Sequence, residues 1–346
     1  MAAILCAGAA SAQTRDVNRL IEQCLTTPEN HPEAVVVDAC SLLIDEGHFR
    51  GRADGNQRLA EAYLNRSLNL VLLGRHEAAL ADVREARRIR PEEPLSYYVE
   101  GLAYMDLNRD PEARTALNAF LRERPSHVLG LHARADLHRN AERYLLALND
   151  LDVILQMSPG DLRALTDRGY IRMLVEHWHL ALPDFDAVLR QTPNDDQVLS
   201  MRSTTHANLG NFDLAVADVD RAAALKPDNI TYQTQRCWTL AAANRDLQAA
   251  RQSCERAAAA APDAFITLNS RGLLGLRQGR NQEAWSDYDA AVRANPGSSQ
   301  ALYGRGLAAL RLGRTTEGRA DIEAARGMHP GVAPEFRRMG LLPEAG

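Results

Sequence analysis

Lysine is almost missing from this chain: Lys226 is the sole lysine among 40 basic residues. The positive charge is therefore arginine, a bias that codon composition accounts for. The arginines are scattered rather than gathered in a tract, and the formal net charge is −5, so nothing marks a groove for nucleic acid. No run of about 20 apolar residues occurs, which excludes a membrane-spanning helix. No segment reads as a strand, no glycine-rich phosphate loop follows one, and no Ser–His–Asp grouping has diagnostic spacing. The cysteines lack CxxC spacing, which argues against thiol redox catalysis. His177 and His179 flank Trp178 beside Glu176 at a turn. His132 and Asp136 stand at i, i+4 and supply two metal ligands rather than three. No catalytic residue, metal or cofactor is expected.

What the chain has is repetition. Residues 265–298 place Leu268, Gly272 and Gly275 at i, i+4 and i+7, then Ala284, Tyr288 and Ala291 likewise, with Gly279 between the halves and Pro296-Gly297 at the end. This pattern predicts two antiparallel helices that approach closely over small residues. Copies close at Pro91, Pro125, Pro159, Pro193, Pro227, Pro262, Pro296 and Pro330, in steps of 34 residues except one of 35. The small residue that opens the second helix recurs at Ala79, Ala113, Ala147, Ala181, Ala215, Ala250 and Ala284, with Gly318 as the variant.

A 34-residue helical hairpin with these small residues resembles the tetratricopeptide repeat. The resemblance implies an all-α, right-handed α-α superhelical solenoid of eight hairpins over residues 60–332. A helical cap is expected at each end, since a solenoid otherwise leaves an apolar face bare. Residues 13–59 fit no repeat and read as two helices, Asp16 to Leu25 and Pro32 to Glu46, followed by a polar loop. Residues 333–346 read as the C-terminal capping helix, with Phe336 and Met339 as its apolar side.

Residues 1–12 read as the end of a secretory signal peptide, with an apolar run from Ile4 to Ala10 and a small-residue cleavage site at Ala10-Ser11-Ala12. No basic residue precedes Arg15, a departure from that pattern. Beyond Cys6, four cysteines form two local pairs, Cys24 with Cys40 and Cys237 with Cys254. Each would close a loop worth about 3 kcal/mol as a disulfide in an oxidising compartment. The alternative is four buried thiols packed as small apolar groups. The expected location is periplasmic or secreted, with cytoplasmic as the alternative.

A second periodic feature runs through the array. Arginine recurs at Arg66, Arg134, Arg168, Arg202, Arg271 and Arg305, each followed sixteen residues later by Asp82, Asp150, Asp184, Asp218, Asp287 and Asp321. The second repeat lacks both, having Glu100 and Ala116; the sixth keeps Arg236 but offers Ser253 or Gln252. The expectation is an ion pair within each hairpin, joining its two helices as architecture.

The resemblance also implies which residues face inward: the second, fifth, ninth and twelfth of each first helix. On this chain those places hold Leu64, Leu68 and Val71; Tyr98, Leu102 and Met105; His132, Asp136 and Arg139; Thr166, Tyr170 and Met173. Ser200 and Thr204, Thr234 and Trp238, Asn269 and Leu273, and Tyr303 and Leu307 follow. The ends of this wall are apolar and aromatic, its middle polar. The Lys and Asn clamp with which some family members hold a C-terminal carboxylate is absent here. A non-enzymatic scaffold for a protein or peptide partner is expected; the alternatives are a cytosolic assembly adaptor or a subunit with a metal or redox site.

Overall fold

The computed structural model describes residues 16–26 and 28–342. The expected signal segment, Cys6 and the last four residues of the C-terminal cap lie outside the described residues. Among the described residues every regular element is helical. The chain divides into two compact units, one ending at Pro159 and the other beginning at Gly160.

In the first unit, a π-helical turn (Glu22–Thr26) and a 3-10 turn (Pro28–Asn30) precede α1 (Glu33–Asp45). Three hairpins follow: α2 (Gly55–Leu72) with α3 (His76–Ile89), α4 (Leu95–Asp106) with α5 (Asp110–Glu123), and α6 (Val128–Asn140) with α7 (Tyr144–Met157). Helix α2 begins at Gly55, ahead of the expected array boundary at residue 60. The second unit has five hairpins: α8 (Leu162–Leu174) with α9 (Trp178–Gln191), α10 (Asp196–Asn208) with α11 (Phe212–Leu225), and α12 (Ile230–Ala243) with α13 (Leu247–Ala260). Then come α14 (Phe265–Arg277) with α15 (Asn281–Ala294), α16 (Ser299–Arg311) with α17 (Thr315–Met328), and the short α18 (Val332–Arg338).

Every hairpin turns through a left-handed residue, and the sixth through two, Asn244 and Asp246 (φ 33°). Gly279 has φ +70°, and Gly74, Gly210 and Gly313 occupy the same place in other hairpins. Asn108 and Asn244 take it at φ 55° and 52°, and Glu142 and Glu176 at 56° and 59°. Asparagine tolerates this region; glutamate pays a steric penalty there that surrounding structure must offset. One residue past the left-handed one, a backbone N–H reaches back to close the first helix. Arg75 N–H donates to Leu70 O at 2.8 Å and Arg280 N–H to Gly275 O at 2.9 Å. At the other end of the repeat the first helix is capped where the loop supplies an acceptor. Asp161 accepts from Ala164 N–H at 2.8 Å, and Ser298 from Ala301 N–H at 3.2 Å, each cap worth about 1 kcal/mol.

Packing within and between hairpins centres on the second helix. Ala284, Tyr288 and Ala291 are buried. The Tyr288 ring fills the space left by Gly272 and, from the next hairpin, Gly304. A Cβ on Gly304 would lie 2.3 Å from the ring. The close approach that the small residues predict is thus made by a large ring lying against two bare backbones.

Candidate functional site

The arginine and aspartate pattern becomes a set of clamps. Arg66 donates to both oxygens of Asp82 at 2.7 Å, and Arg134 to both of Asp150 at 2.9 and 2.6 Å. Arg168 does so to Asp184 at 3.1 and 2.6 Å, and Arg202 to Asp218 at 2.8 Å twice. Arg305 donates to Asp321 at 2.8 and 2.9 Å, while Arg271 makes one bond to Asp287, at 2.5 Å. Bidentate geometry suits the planar guanidinium. The bond to Asp218 raises the pKa of Arg202 above its ordinary range, and the bond to Asp321 does the same for Arg305.

The remaining donor of several arginines does something the spacing of single pairs does not express. It reaches back sixteen residues to the preceding hairpin: Arg202 to Asp186 at 2.7 Å, Arg236 to Asp220 at 2.6 Å, Arg305 to Asp289 at 2.8 Å and Arg134 to Asn118 at 2.9 Å. Each such arginine therefore ties its own second helix and the previous one. The signal was present as Asp-x-Asp, in Asp184/Asp186, Asp218/Asp220 and Asp287/Asp289. The first Asp grips its own hairpin's arginine and the second grips the next. In the second hairpin Glu100 stands at the arginine's place and accepts from Arg87 of the preceding hairpin at 2.8 Å.

The sixth hairpin breaks the pattern and replaces it. Arg236 finds Ser253 Oγ at 2.9 Å instead of an aspartate. Immediately beside these residues Cys237 and Cys254 join α12 to α13 at a Cα separation of 5.2 Å. Cys24 and Cys40 stand 5.0 Å apart. Both separations suit a disulfide. Next to the irregular hairpin lies a cleft of about 570 Å³ lined by Arg251, Cys254, Arg271 and Asp287; burial raises the pKa of Asp287.

The inward positions divide by burial. In the first unit Leu68, Tyr98, Leu102, Met105, Asp136 and Arg139 are half-buried, whereas Leu64, Val71 and His132 are buried. Tyr98 stacks at 5.2 Å from Phe120 and 5.8 Å from His127, which holds its ring in place. Asp136 and Arg139 pair with each other at 3.0 Å. In the second unit Thr166, Tyr170, Met173, Ser200, Thr204 and Trp238 are half-buried. Thr204 is partly used by architecture: Gln235 donates to its hydroxyl at 2.9 Å and to Ser200 O at 2.7 Å. Thr234 and Asn269 are buried. Leu273, Tyr303 and Leu307 are each 1% exposed and present no open surface, because they lie in one apolar cluster with Val332, Phe336, Met339 and Leu341.

His177 and His179 are exposed, and among the described residues no group of three or more His, Cys, Asp or Glu is arranged to hold a metal ion. Among the described residues no helix is long and apolar enough to cross a membrane.

Antiparallel helix pairs stacked by a repeated ionic clamp define an α-α solenoid, a class whose product is surface. The family described as "Tetratricopeptide repeat" matches residues 64–128, 98–161, 135–206, 239–299 and 270–333. The chain belongs to the tetratricopeptide repeat family. Among solved structures it is similar to a tetratricopeptide repeat protein from Parabacteroides merdae, with 18% identity over 81% of this chain and 98% of the other, TM-score 0.47. It is similar also to PilF of Pseudomonas aeruginosa, with 16% identity over 62% and 96%, TM-score 0.55. A third is the C-terminal part of a repeat protein from Cytophaga hutchinsonii, with 14% identity over 70% and 98%, TM-score 0.54. No curated protein matches the chain.

Proposed function

We propose that this chain is a non-enzymatic scaffold in the cell envelope that binds a protein or peptide partner along the inner faces of its first helices. The observation that carries the reading is a contrast between positions. The clamp recurs from hairpin to hairpin, while the inward places change from Leu68 and Leu102 to Asp136, Tyr170, Thr204 and Trp238. Architecture requires repetition; recognition of a particular partner requires variation. Half-buried Tyr98, Met105, Tyr170 and Trp238 offer large, rigid or adaptable anchors of the kind that dominate binding energy. Two buried cysteine pairs at bridging distance support an oxidising compartment.

The test is affinity capture from native cell envelopes with the chain and with Tyr98→Ala, Tyr170→Ala and Trp238→Ala. Each is expected to lower recovery of the partner while leaving helical circular dichroism unchanged. Intact capture with all three would remove the inner-face assignment. Mass spectrometry of unreduced native protein is expected to show Cys24–Cys40 and Cys237–Cys254 peptides. Four freely alkylated thiols would favour the cytosolic adaptor instead.

A further inference from the structure

The last hairpin is followed by a segment that leaves the stack. The first helix of a ninth hairpin would cover α17 and extend the solenoid. Instead Val332, Phe336, Met339 and Leu341 join the buried cluster that holds Leu240, Leu273, Leu276, Tyr303 and Leu307, residues from the first helices of three hairpins. Phe336 stacks on Tyr303 with ring centroids 4.6 Å apart. Gln300 donates to Glu335. Arg277 spans the junction: it donates to Ala241 O and Ala242 O, both at 2.8 Å, and to Met339 O. Farther along, Arg338 lies beside Gly210, where an added Cβ would stand 3.4 Å from its Cδ. The segment therefore crosses the inward positions of the sixth to eighth hairpins and reaches the turn of the fifth.

Its construction is that of a ligand. Val332, Phe336 and Met339 fall at i, i+4 and i+7 and are buried, while Pro334, Arg337 and Arg338 are exposed. This is the spacing with which an amphipathic helix enters an apolar groove. The helix itself is short: it has seven residues, its start carries no side-chain cap, and it ends at left-handed Gly340.

We propose that the inner face of the sixth to eighth hairpins is a peptide-binding surface held shut in cis by residues 332–341. Its partner in trans is an amphipathic helical segment with apolar anchors at i, i+4 and i+7 and an aromatic ring at the middle one. Such a partner displaces the segment and takes over Tyr303, Leu273 and the Arg277 guanidinium. The proposal deepens the inner-face reading and rests on it.

The probe is a fluorescent synthetic peptide of residues 331–342, titrated into the full chain and into a full chain carrying Phe336→Ala, Met339→Ala and Leu341→Ala. Emptying the groove is expected to tighten peptide binding about tenfold or more, because the competent state is no longer a minor population. Equal affinity for both chains overturns the proposal. Hydrogen exchange on the unmodified chain guards against a variant that fails to fold. Amides 332–341 are expected to exchange at least about tenfold faster than those of α14 and α16, through local opening. Equal protection makes the segment a permanent part of the fold and overturns the proposal, as does a wild-type dimer with the segments exchanged. Neither measurement uses the cellular partner. A segment that never opens therefore defeats this proposal alone and leaves the inner-face reading to its own capture experiment.

Discussion

The inner wall of the first unit and the C-terminal end of the second use equivalent positions of the repeated hairpin, yet they meet different surroundings. In the second and third hairpins Tyr98, Leu102, Met105 and Asp136 keep part of their surface exposed. In the seventh and eighth Leu273, Tyr303 and Leu307 are sealed under Phe336, Met339 and Leu341. The third and eighth hairpins carry the same bidentate clamp, Arg134 on Asp150 and Arg305 on Asp321. A shared skeleton thus carries two kinds of wall, and what distinguishes them is a segment outside the repeat. Position in the repeat governs a residue's direction; it does not govern whether anything else lies there.

That comparison can be tested first through what the regions share. Asp218 is 4% exposed and accepts both bonds from Arg202, whereas Asp186 on the same guanidinium has a side chain 47% exposed. Asp218→Ala is expected to cost about 3 kcal/mol, because it breaks a buried bidentate pair and leaves Arg202 only the exposed Asp186. Asp186→Ala should cost at most about 1 kcal/mol, as exposed pairs do. Asp82→Ala in the first unit should match Asp218→Ala. Urea unfolding of the three variants measures this, and equal costs for Asp218 and Asp186 would remove the distinction between core clamp and surface tie.

The next largest effect separates the two walls. Leu273→Ala is expected to cost about 2–5 kcal/mol, as truncation in a packed core does. Leu68→Ala, at the same place in the first hairpin but half-buried, should cost less than half as much. Thermal melts of both variants decide it; a similar loss at Leu68 would mean that the first wall is core as well.

Binding gives the third contrast. Tyr98→Ala and Tyr170→Ala should each weaken partner capture by about 1–3 kcal/mol. Tyr303→Ala should lower the melting temperature before it changes capture. Quantitative pull-down alongside calorimetry separates the two, and a capture defect with unchanged melting at Tyr303 would put that ring in the open wall.

The smallest effect concerns pH. Burial raises the Glu335 carboxyl from its ordinary 4.5 to about 7; Arg338 opposes this, as does the bond from Gln300, while Glu176 adds to it. Docking therefore favours the protonated acid. Its stabilisation is full below the ordinary value and is lost as pH rises from there through about 7. Exchange of amides 332–341, corrected for intrinsic rates, should show more protection at pH 5.5 than at pH 8, with the difference abolished by Glu335→Gln. Protection that rises with pH would reverse the assignment.

Some of this was legible from local pattern. A period of 34 residues, Gly279 at a turn, and the Arg202 and Asp218 spacing all describe contacts closed within one hairpin, where sixteen residues bring partners together. The second Asp of each Asp-x-Asp was legible too, but only once each arginine is given donors for two helices. The serine opposite Arg236 required coordinates, because the extra residue in the sixth repeat leaves two registers open and only packing selects Ser253. The C-terminal helix was readable as a helix, with Phe336 and Met339 on its apolar side; its destination was not.

The amino-acid sequence by itself determined the helices, their pairing and the clamps, because each rests on contacts between residues near in the chain and is repeated until the pattern is unmistakable. Tertiary structure alone decided which inward residues remain available. Arg277 meets Met339 across 62 residues, and that encounter depends on how several hairpins accumulate their turns into a curved wall. No period announces such a contact, since it is made once, by a segment that belongs to no repeat.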